Sequence, residues 1–192
     1  MKLHFLRHGP THAKTMVGWT DLPADLSNTA RLDKIALEIP VSAICISSTL
    51  TRASATLDAV LGQRQILPAD PDLREIHFGD WEDKSYSEAL KENAQLAEDL
   101  WTRPGDIAPP NGESWNDLTA RVSSAIDKII LDTDVEDVLI ACHFGPILTQ
   151  LARFTDASAK TVFGFQIDPL SLTTIETLGA GAARVLRVNH LL

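Results

Sequence analysis

Three short apolar runs in the sequence each end in side chains suited to handling an anion. Leu3-His4-Phe5-Leu6 ends in Arg7-His8-Gly9. Ala43-Ile44-Cys45-Ile46 ends in Ser47-Ser48-Thr49, with Arg52 one turn later. Val138-Leu139-Ile140-Ala141-Cys142 ends in His143-Phe144-Gly145. If these runs are parallel neighbours in a sheet, the three clusters meet outside the carboxyl ends of the strands, where open α/β sheets bind ligands. Two arginines and two histidines then converge. Paired guanidinium groups repel unless an anion lies between them, and the planar fork of arginine meets phosphate oxygens with two parallel charge-assisted bonds. A histidine there can serve as nucleophile, hydrogen-bond donor or proton carrier. The chemistry indicated is the binding and transfer of a small, highly charged oxyanion, phosphate first.

The elements that must position these residues follow from the hydrophobic pattern. Strands are expected over 3–6, 41–46 and 137–142. A loop rich in Gly, Pro, Thr and Asp spans 9–27, and Ser27 is placed to cap a helix over 28–37. Residues 51–61 carry Ala53, Thr56, Leu57 and Val60 on one helical face. An irregular acidic segment over 68–83 precedes a helix over 86–101. Pro104, Pro109 and Pro110 then keep 102–112 out of regular structure. A helix over 114–131 has the stripe Leu118, Val122, Ala125, Ile126 and Ile129. Pro146 marks the start of another, carrying Ile147, Leu148, Leu151 and Phe154. From Phe163 on, three short strands are expected, the last two joined by a hairpin turn at Gly179-Ala180-Gly181. Strands alternating with helices predict an α/β layered fold with a mostly parallel central sheet. The length, 192 residues, suits one domain over 1–192 with a small cap-like insertion around 83–110.

Composition narrows the function. With 44% hydrophobic and 22% charged residues, the chain is ordinary globular material and not a disordered one. It carries 17 Lys plus Arg against 26 Asp plus Glu, a net charge of −9. Such a chain binds nucleic acid or an anionic membrane poorly, so any anion site must concentrate positive charge locally. Cys45 and Cys142 lie inside apolar runs and read as small buried hydrophobes in a reducing compartment. No apolar run approaches the ~20 residues that span a bilayer, and the first run breaks at Arg7-His8, short of a signal-peptide core. A cytoplasmic location is expected. There is no G-x-x-x-x-G-K-[ST] loop, which disfavours nucleotide hydrolysis by that route.

The motifs also occur in a recognisable order. Leu6-Arg7-His8-Gly9-Pro10-Thr11, Ser47-Ser48-Thr49-Leu50-Thr51-Arg52-Ala53, Leu73-Arg74-Glu75-Ile76-His77-Phe78-Gly79-Asp80-Trp81-Glu82, Asn111-Gly112-Glu113-Ser114-Trp115 with Arg121-Val122, and Ala141-Cys142-His143-Phe144-Gly145-Pro146 together resemble the histidine phosphatase superfamily. The resemblance implies its phosphoglycerate mutase-like, three-layer α/β/α fold. It also implies a metal-independent phosphomonoester hydrolase with no cofactor, acting on a small phosphorylated substrate. His8 would be the nucleophile that becomes phosphohistidine. Arg7, Arg52 and His143 would bind the phosphoryl oxygens. Glu75 would protonate the leaving oxygen and then activate water. Thr11, Lys14, Phe144 and Gly145 would contact substrate. Glu75 must start protonated, so its pKa should be raised by burial or by neighbouring acids such as Glu113. His8 must attack neutral, and Arg7 and Arg52 disfavour its protonation. Two positions depart from the family pattern: Pro10 stands for the usual glutamate, and Lys14 for an asparagine that contacts phosphate. Phe78-Gly79-Asp80-Trp81-Glu82, Asn111-Gly112-Glu113 and the closing Leu186-Arg187-Val188 are most similar to the α-ribazole phosphatase branch. The alternatives are mutase-type phosphoryl transfer and a non-catalytic phosphate-binding module. The first needs a closed lid, for which only 86–110 is available, and the second is opposed by the intact site set.

Other residues carry competing roles. His4, His8 and His12 recur every four residues, a metal-binding spacing on a helix, but His4 falls in a strand-like run that points it away from His12. His77 either lines the substrate mouth or packs under Phe78 and Trp81, with packing favoured. Trp19 and Trp115 either cover the pocket or fill the core. Trp101 and the last strand are candidates for a homodimer contact.

Overall fold

The computed structural model describes residues 1–179 and 181–192, so Ala180 of the expected hairpin turn lies outside the described residues. Strand β1 (Lys2–Arg7) runs into a long loop and α1 (Thr29–Glu38). Then come β2 (Ile44–Ser47), α2 (Thr51–Val60) and the short β3 (Gln65–Ile66). Two 3-10 turns, Pro71–Leu73 and Gly79–Trp81, precede α3 (Tyr86–Glu92), α4 (Ala94–Thr102) and α5 (Trp115–Asp132). The chain ends with β4 (Asp137–Cys142), α6 (Phe144–Thr155), α7 (Ala159–Val162), β5 (Leu172–Gly179) and β6 (Ala182–His190).

The strands form one sheet in the order β3-β2-β4-β1-β5-β6. The first four are parallel, β5 runs antiparallel to β1, and β6 antiparallel to β5. Alternation along the strands supplies two cores, since successive side chains point to opposite faces. Leu3, Phe5, Val138 and Ile140 pack under α5 and α6, whereas Leu6, Cys45, Leu139 and Ala141 pack under α1 and α2. The result is the three-layer α/β/α arrangement. A third cluster, built on Phe78, Trp81, Ala89, Ala97 and Leu100, seats α3 and α4 beside the sheet's carboxyl end. Among the described residues no helix is long and apolar enough to cross a membrane.

Several expected boundaries shift for local reasons. The single helix over 86–101 is two, because the Asn93 side chain accepts from Leu96 N (3.1 Å) and caps a new start. Asn28, not Ser27, caps α1, its side chain accepting from Arg31 N (3.2 Å). The tail holds two long strands in place of three short ones. Residues 163–171 instead wrap the end of β1, with Leu170 N donating to Arg7 O (3.0 Å). His4 and His12 do not converge with His8. His4 is buried against Asp137 (2.8 Å) and Thr174 (3.2 Å), while His12 is exposed beside Asp25. Cys45 and Cys142 are buried free thiols whose pKa values burial pushes up, to about 11 for Cys45.

Candidate active site

The register of the parallel strands assembles the site. Arg7 pairs with Cys142 across β1 and β4, and Ser47 with Ala141 across β2 and β4. The ladder continues one residue further, through His8 N to Cys142 O (3.1 Å) and Ser48 N to Ala141 O (2.9 Å). His8 and His143 therefore leave neighbouring strands side by side, with ring centroids 5.0 Å apart. Arg52 reaches them from the first turn of α2. Its Nε donates to His8 Nε2 (3.3 Å) and His143 Nδ1 (3.2 Å).

These partners assign the ring protons. The Gly9 carbonyl can only accept, so His8 Nδ1 carries the proton (2.6 Å) and the His8 Nε2 lone pair accepts from Arg52 Nε. His143 Nδ1 accepts from Arg52, so its proton sits on Nε2 and is donated to Ser48 Oγ (2.9 Å). Burial lowers the His8 pKa to about 3, against the opposing Gly9 bond; the charges of Arg52 and Arg7 add smaller downward pushes. His143 is held well below its ordinary value by burial first, then by His8 and the arginines. Both histidines are neutral across the physiological range.

Arg52 is 1% exposed. Its Nη1 donates to Thr20 O (2.9 Å) and its Nη2 to Gly18 O (2.6 Å), leaving the Nε edge to face the histidines. The 18–20 turn that supplies those carbonyls is itself held by Glu82. That carboxylate accepts from the backbone N–H groups of Gly18, Trp19, Thr20 and Phe78 and from the Thr20 hydroxyl, at 2.7–3.1 Å. Burial works against the Glu82 charge, but these bonds outweigh it and its pKa is lowered. A Cβ at Gly18 would lie 2.0 Å from Ile76 O, so only glycine fits there. Arg7 donates through Nη1 to Ile167 O (2.5 Å), stacks over the Phe144 ring (5.5 Å), and has a buried Nε with no hydrogen-bond partner. Neither arginine has a salt-bridge partner among the described residues.

Glu75 closes the site. Its carboxyl oxygens accept from Gly145 N (3.0 and 3.2 Å), a free amide in the first turn of α6, and from Ile76 N (3.0 Å). Burial raises its pKa, opposed by those bonds and by Arg52 and Arg7. Glu113 plays no part in that shift. It pairs with Arg121 (2.7 Å) and accepts from His77 N (2.9 Å), so the expectation that it raises the Glu75 pKa is corrected. Arg121 and Trp19 instead fix the Glu75 backbone, each donating to its carbonyl (3.2 and 2.8 Å). His77 packs on the Trp19 ring (4.6 Å), not under Phe78 and Trp81.

A pocket of about 140 Å³ is lined by Arg7, His8, Thr11, Thr15, Arg52 and Glu75. Of the expected substrate contacts, Thr11 lines it. Lys14 is exposed and outside the lining, between Ala13 and Thr15, which line it. Phe144 and Gly145 act on Arg7 and Glu75. The expected His143 contact with a phosphoryl oxygen is also qualified, because its N–H is engaged by Ser48. Ser48 and Glu82 were missed as functional residues; Glu82 lay inside a quoted motif, but only the folded turn reveals its acceptor role.

A neutral histidine whose unprotonated nitrogen faces the buried Arg52 guanidinium, with the half-buried Arg7 beside it, is the layout of a protein that handles phosphoryl groups. Comparison with known proteins agrees. The family model for the histidine phosphatase superfamily (branch 1) matches residues 3–190. A bifunctional protein of Mycobacterium tuberculosis is 31% identical over 98% of this chain; the chain spans 54% of that relative's length, about half. The adenosylcobalamin/alpha-ribazole phosphatase of Salmonella typhimurium is 27% identical, covering 88% of this chain and 86% of that one. Among solved structures, Bacillus stearothermophilus YhfR has a TM-score of 0.89 at 30% identity over 100% of this chain and 98% of that one. The alpha-ribazole phosphatase from Shigella flexneri has 0.83 at 26% identity, with coverage of 100% and 98%. The chain belongs to the histidine phosphatase superfamily.

The Glu82 network makes a testable claim. Glu82→Gln places an amide N–H₂ against backbone donors and frees the 18–20 turn, so Arg52 loses its fixed orientation. Phosphatase kcat/KM should fall at least ~10-fold, with weaker inhibition by inorganic phosphate, by analogy with loss of one transition-state donor. Unchanged kinetics and phosphate inhibition would show that the turn does not orient Arg52.

Proposed function

We propose that the chain hydrolyses phosphomonoesters of a small metabolite through a phosphohistidine on His8, with arginine charge in place of a metal ion. The observation that carries this is the His8 ring: its Nδ1–H is fixed by Gly9 O, and its unprotonated Nε2 lies beside the Arg52 guanidinium. In the first step Nε2 bonds to phosphorus, the phosphorus–oxygen bond to the leaving group breaks, and the Glu75 proton passes to the departing oxygen. In the second, water attacks phosphorus, gives its proton to Glu75, and the nitrogen–phosphorus bond breaks. Two displacements replace one difficult hydrolysis. Arg7 and Arg52 stabilise the charge on the equatorial oxygens. The partnerless Arg7 Nε supports that role. His143 joins them by shifting its proton to Nδ1. The Ser48 hydroxyl permits this because it can donate to Nε2 as readily as accept from it.

The raised pKa of Glu75 fits an acid that starts protonated, and the lowered pKa of His8 fits a nucleophile that starts neutral. The relatives named as alpha-ribazole phosphatases support α-ribazole 5′-phosphate as the first ester to try.

Phosphate release from α-ribazole 5′-phosphate, sugar phosphates, 3-phosphoglycerate and p-nitrophenyl phosphate, with EDTA present, tests the proposal. Wild type should release phosphate and His8→Ala should not. Loss of wild-type release with EDTA would overturn the metal-independent mechanism. Conversion of 3-phosphoglycerate to 2-phosphoglycerate without release would favour a mutase. The pH dependence has a fixed sign. At saturating substrate kcat should fall as pH rises through the raised Glu75 pKa, because the proton donor is lost. His8 contributes no acid limb above about pH 4, since it protonates only near 3. An alkaline limb that persists in Glu75→Gln would remove Glu75 from the acid role.

A further inference from the structure

Asp25 holds the loop that walls the anion pocket at two points, one on either side of Thr11. Its backbone N–H donates to Pro10 O (2.7 Å), and its carboxylate accepts from His12 Nε2 (2.8 Å). Thr11, between those two residues, lines the pocket with Arg7, His8 and Arg52. We propose that Asp25 and His12 are positioning residues, which clamp the loop so that the Thr11 hydroxyl meets a phosphoryl oxygen. The inference rests on the phosphatase reading and deepens it.

The clamp follows from the close approach of two chain segments. A Cβ at Gly9 would lie 2.8 Å from Asp25 O and 2.9 Å from the Leu26 side chain, so this segment packs directly on the chain as it leaves His8. The Asp25 carboxylate also accepts from Ser27 N (2.9 Å), which fixes it from the far side. Bonds from Ser27 first, and then from His12, hold the Asp25 carboxyl below the usual carboxylate range. Ionised, it can only accept, so His12 Nε2 carries the proton and donates it. The His12 backbone has a φ of 58°, a left-handed conformation that non-glycine residues rarely adopt unless their surroundings impose it. The bond to Asp25 imposes it here. With this reversal Thr11 faces the pocket while His12 faces solvent.

The pocket lining holds two hydroxyls, Thr11 and Thr15. Thr11 is the one with both chain neighbours tied to a single residue. The loop is next fixed at Met16, through Met16 N to Lys84 O (2.9 Å) and Asp83 N to Met16 O (2.9 Å). A hydroxyl donating to an anion makes a charge-assisted bond, and a donor fixed in place makes it without first being ordered. The His12 and Asp25 side chains are 69% and 38% exposed, and pairs so exposed add little to stability. The effect of the clamp is therefore expected in phosphate affinity and not in the melting temperature.

Calorimetric binding of inorganic phosphate tests the clamp. Thr11→Val keeps the shape and removes the hydroxyl, and should weaken binding ~10-fold. His12→Gly keeps the left-handed backbone and removes the donor, and should weaken binding at least ~3-fold at an unchanged melting temperature. His12→Gln offers an amide N–H to Asp25 in place of the ring, and should restore affinity to within ~2-fold of wild type. In the Thr11→Val background His12→Gly should have no further effect, because it acts through the hydroxyl. Unchanged affinity in His12→Gly, no restoration by His12→Gln, or a loss that adds to that of Thr11→Val would overturn the clamp. Asp25→Ala keeps the backbone bond to Pro10 and must reproduce the His12→Gly loss; it decides the matter if His12→Gly fails to fold. Wild type that binds phosphate but hydrolyses no phosphomonoester would count against the phosphatase reading, and these affinities would still judge the clamp. Wild type that binds no phosphate would overturn both.

Discussion

The guanidinium of Arg52 is buried without a carboxylate partner, and much of the surrounding structure follows from that constraint. A buried charge is tolerated only where hydrogen bonds replace water. Two backbone carbonyls and two neutral histidines do this for Arg52. The carbonyls belong to a turn that Glu82 holds by four hydrogen bonds and that closes only because residue 18 is glycine. The histidines lie within reach because β1 and β4 are parallel neighbours in register. Each layer therefore supports one oriented cation, and its positive charge remains available to an anion.

The same burial acts on the titratable groups around this cation. Burial disfavours the imidazolium forms of His8 and His143 and the carboxylate form of Glu75. The chain has an acidic surplus, −9 overall, yet among the described residues no carboxylate forms a salt bridge with Arg7 or Arg52. The arrangement suits an enzyme whose nucleophile must be neutral and whose acid must hold a proton before substrate arrives. It also means that an incoming phosphoryl group meets two guanidinium groups and no competing salt bridge.

Much of this was legible in the sequence because the site residues sit at the ends of apolar runs. There the strand pattern itself fixes where side chains emerge. Arg7, His8, Arg52, Glu75 and His143 were all identifiable, and the structure brings them together. What escaped notice depended on chain reversals that carry no periodic signal. Glu82 acts through a turn more than sixty residues away in sequence. Glu113 is drawn off by Arg121, a pairing that only the packed arrangement shows. Lys14 stands where the family pattern has an asparagine, and it sits in an exposed stretch of loop. Asn93 interrupts an otherwise continuous helical pattern because its side chain competes for the backbone.

The central claim is that His8 carries the phosphoryl group between the two displacements. Rapid acid-free quenching of Glu75→Gln with ³²P-labelled p-nitrophenyl phosphate tests it most directly. Para-nitrophenolate leaves without a proton, whereas the second displacement lacks its base, so the intermediate accumulates. Label should appear near one per chain, stable to alkali, labile to acid, and mapped to His8 by mass spectrometry. Absence of labelled protein during steady turnover, or label on any other residue, would contradict the account.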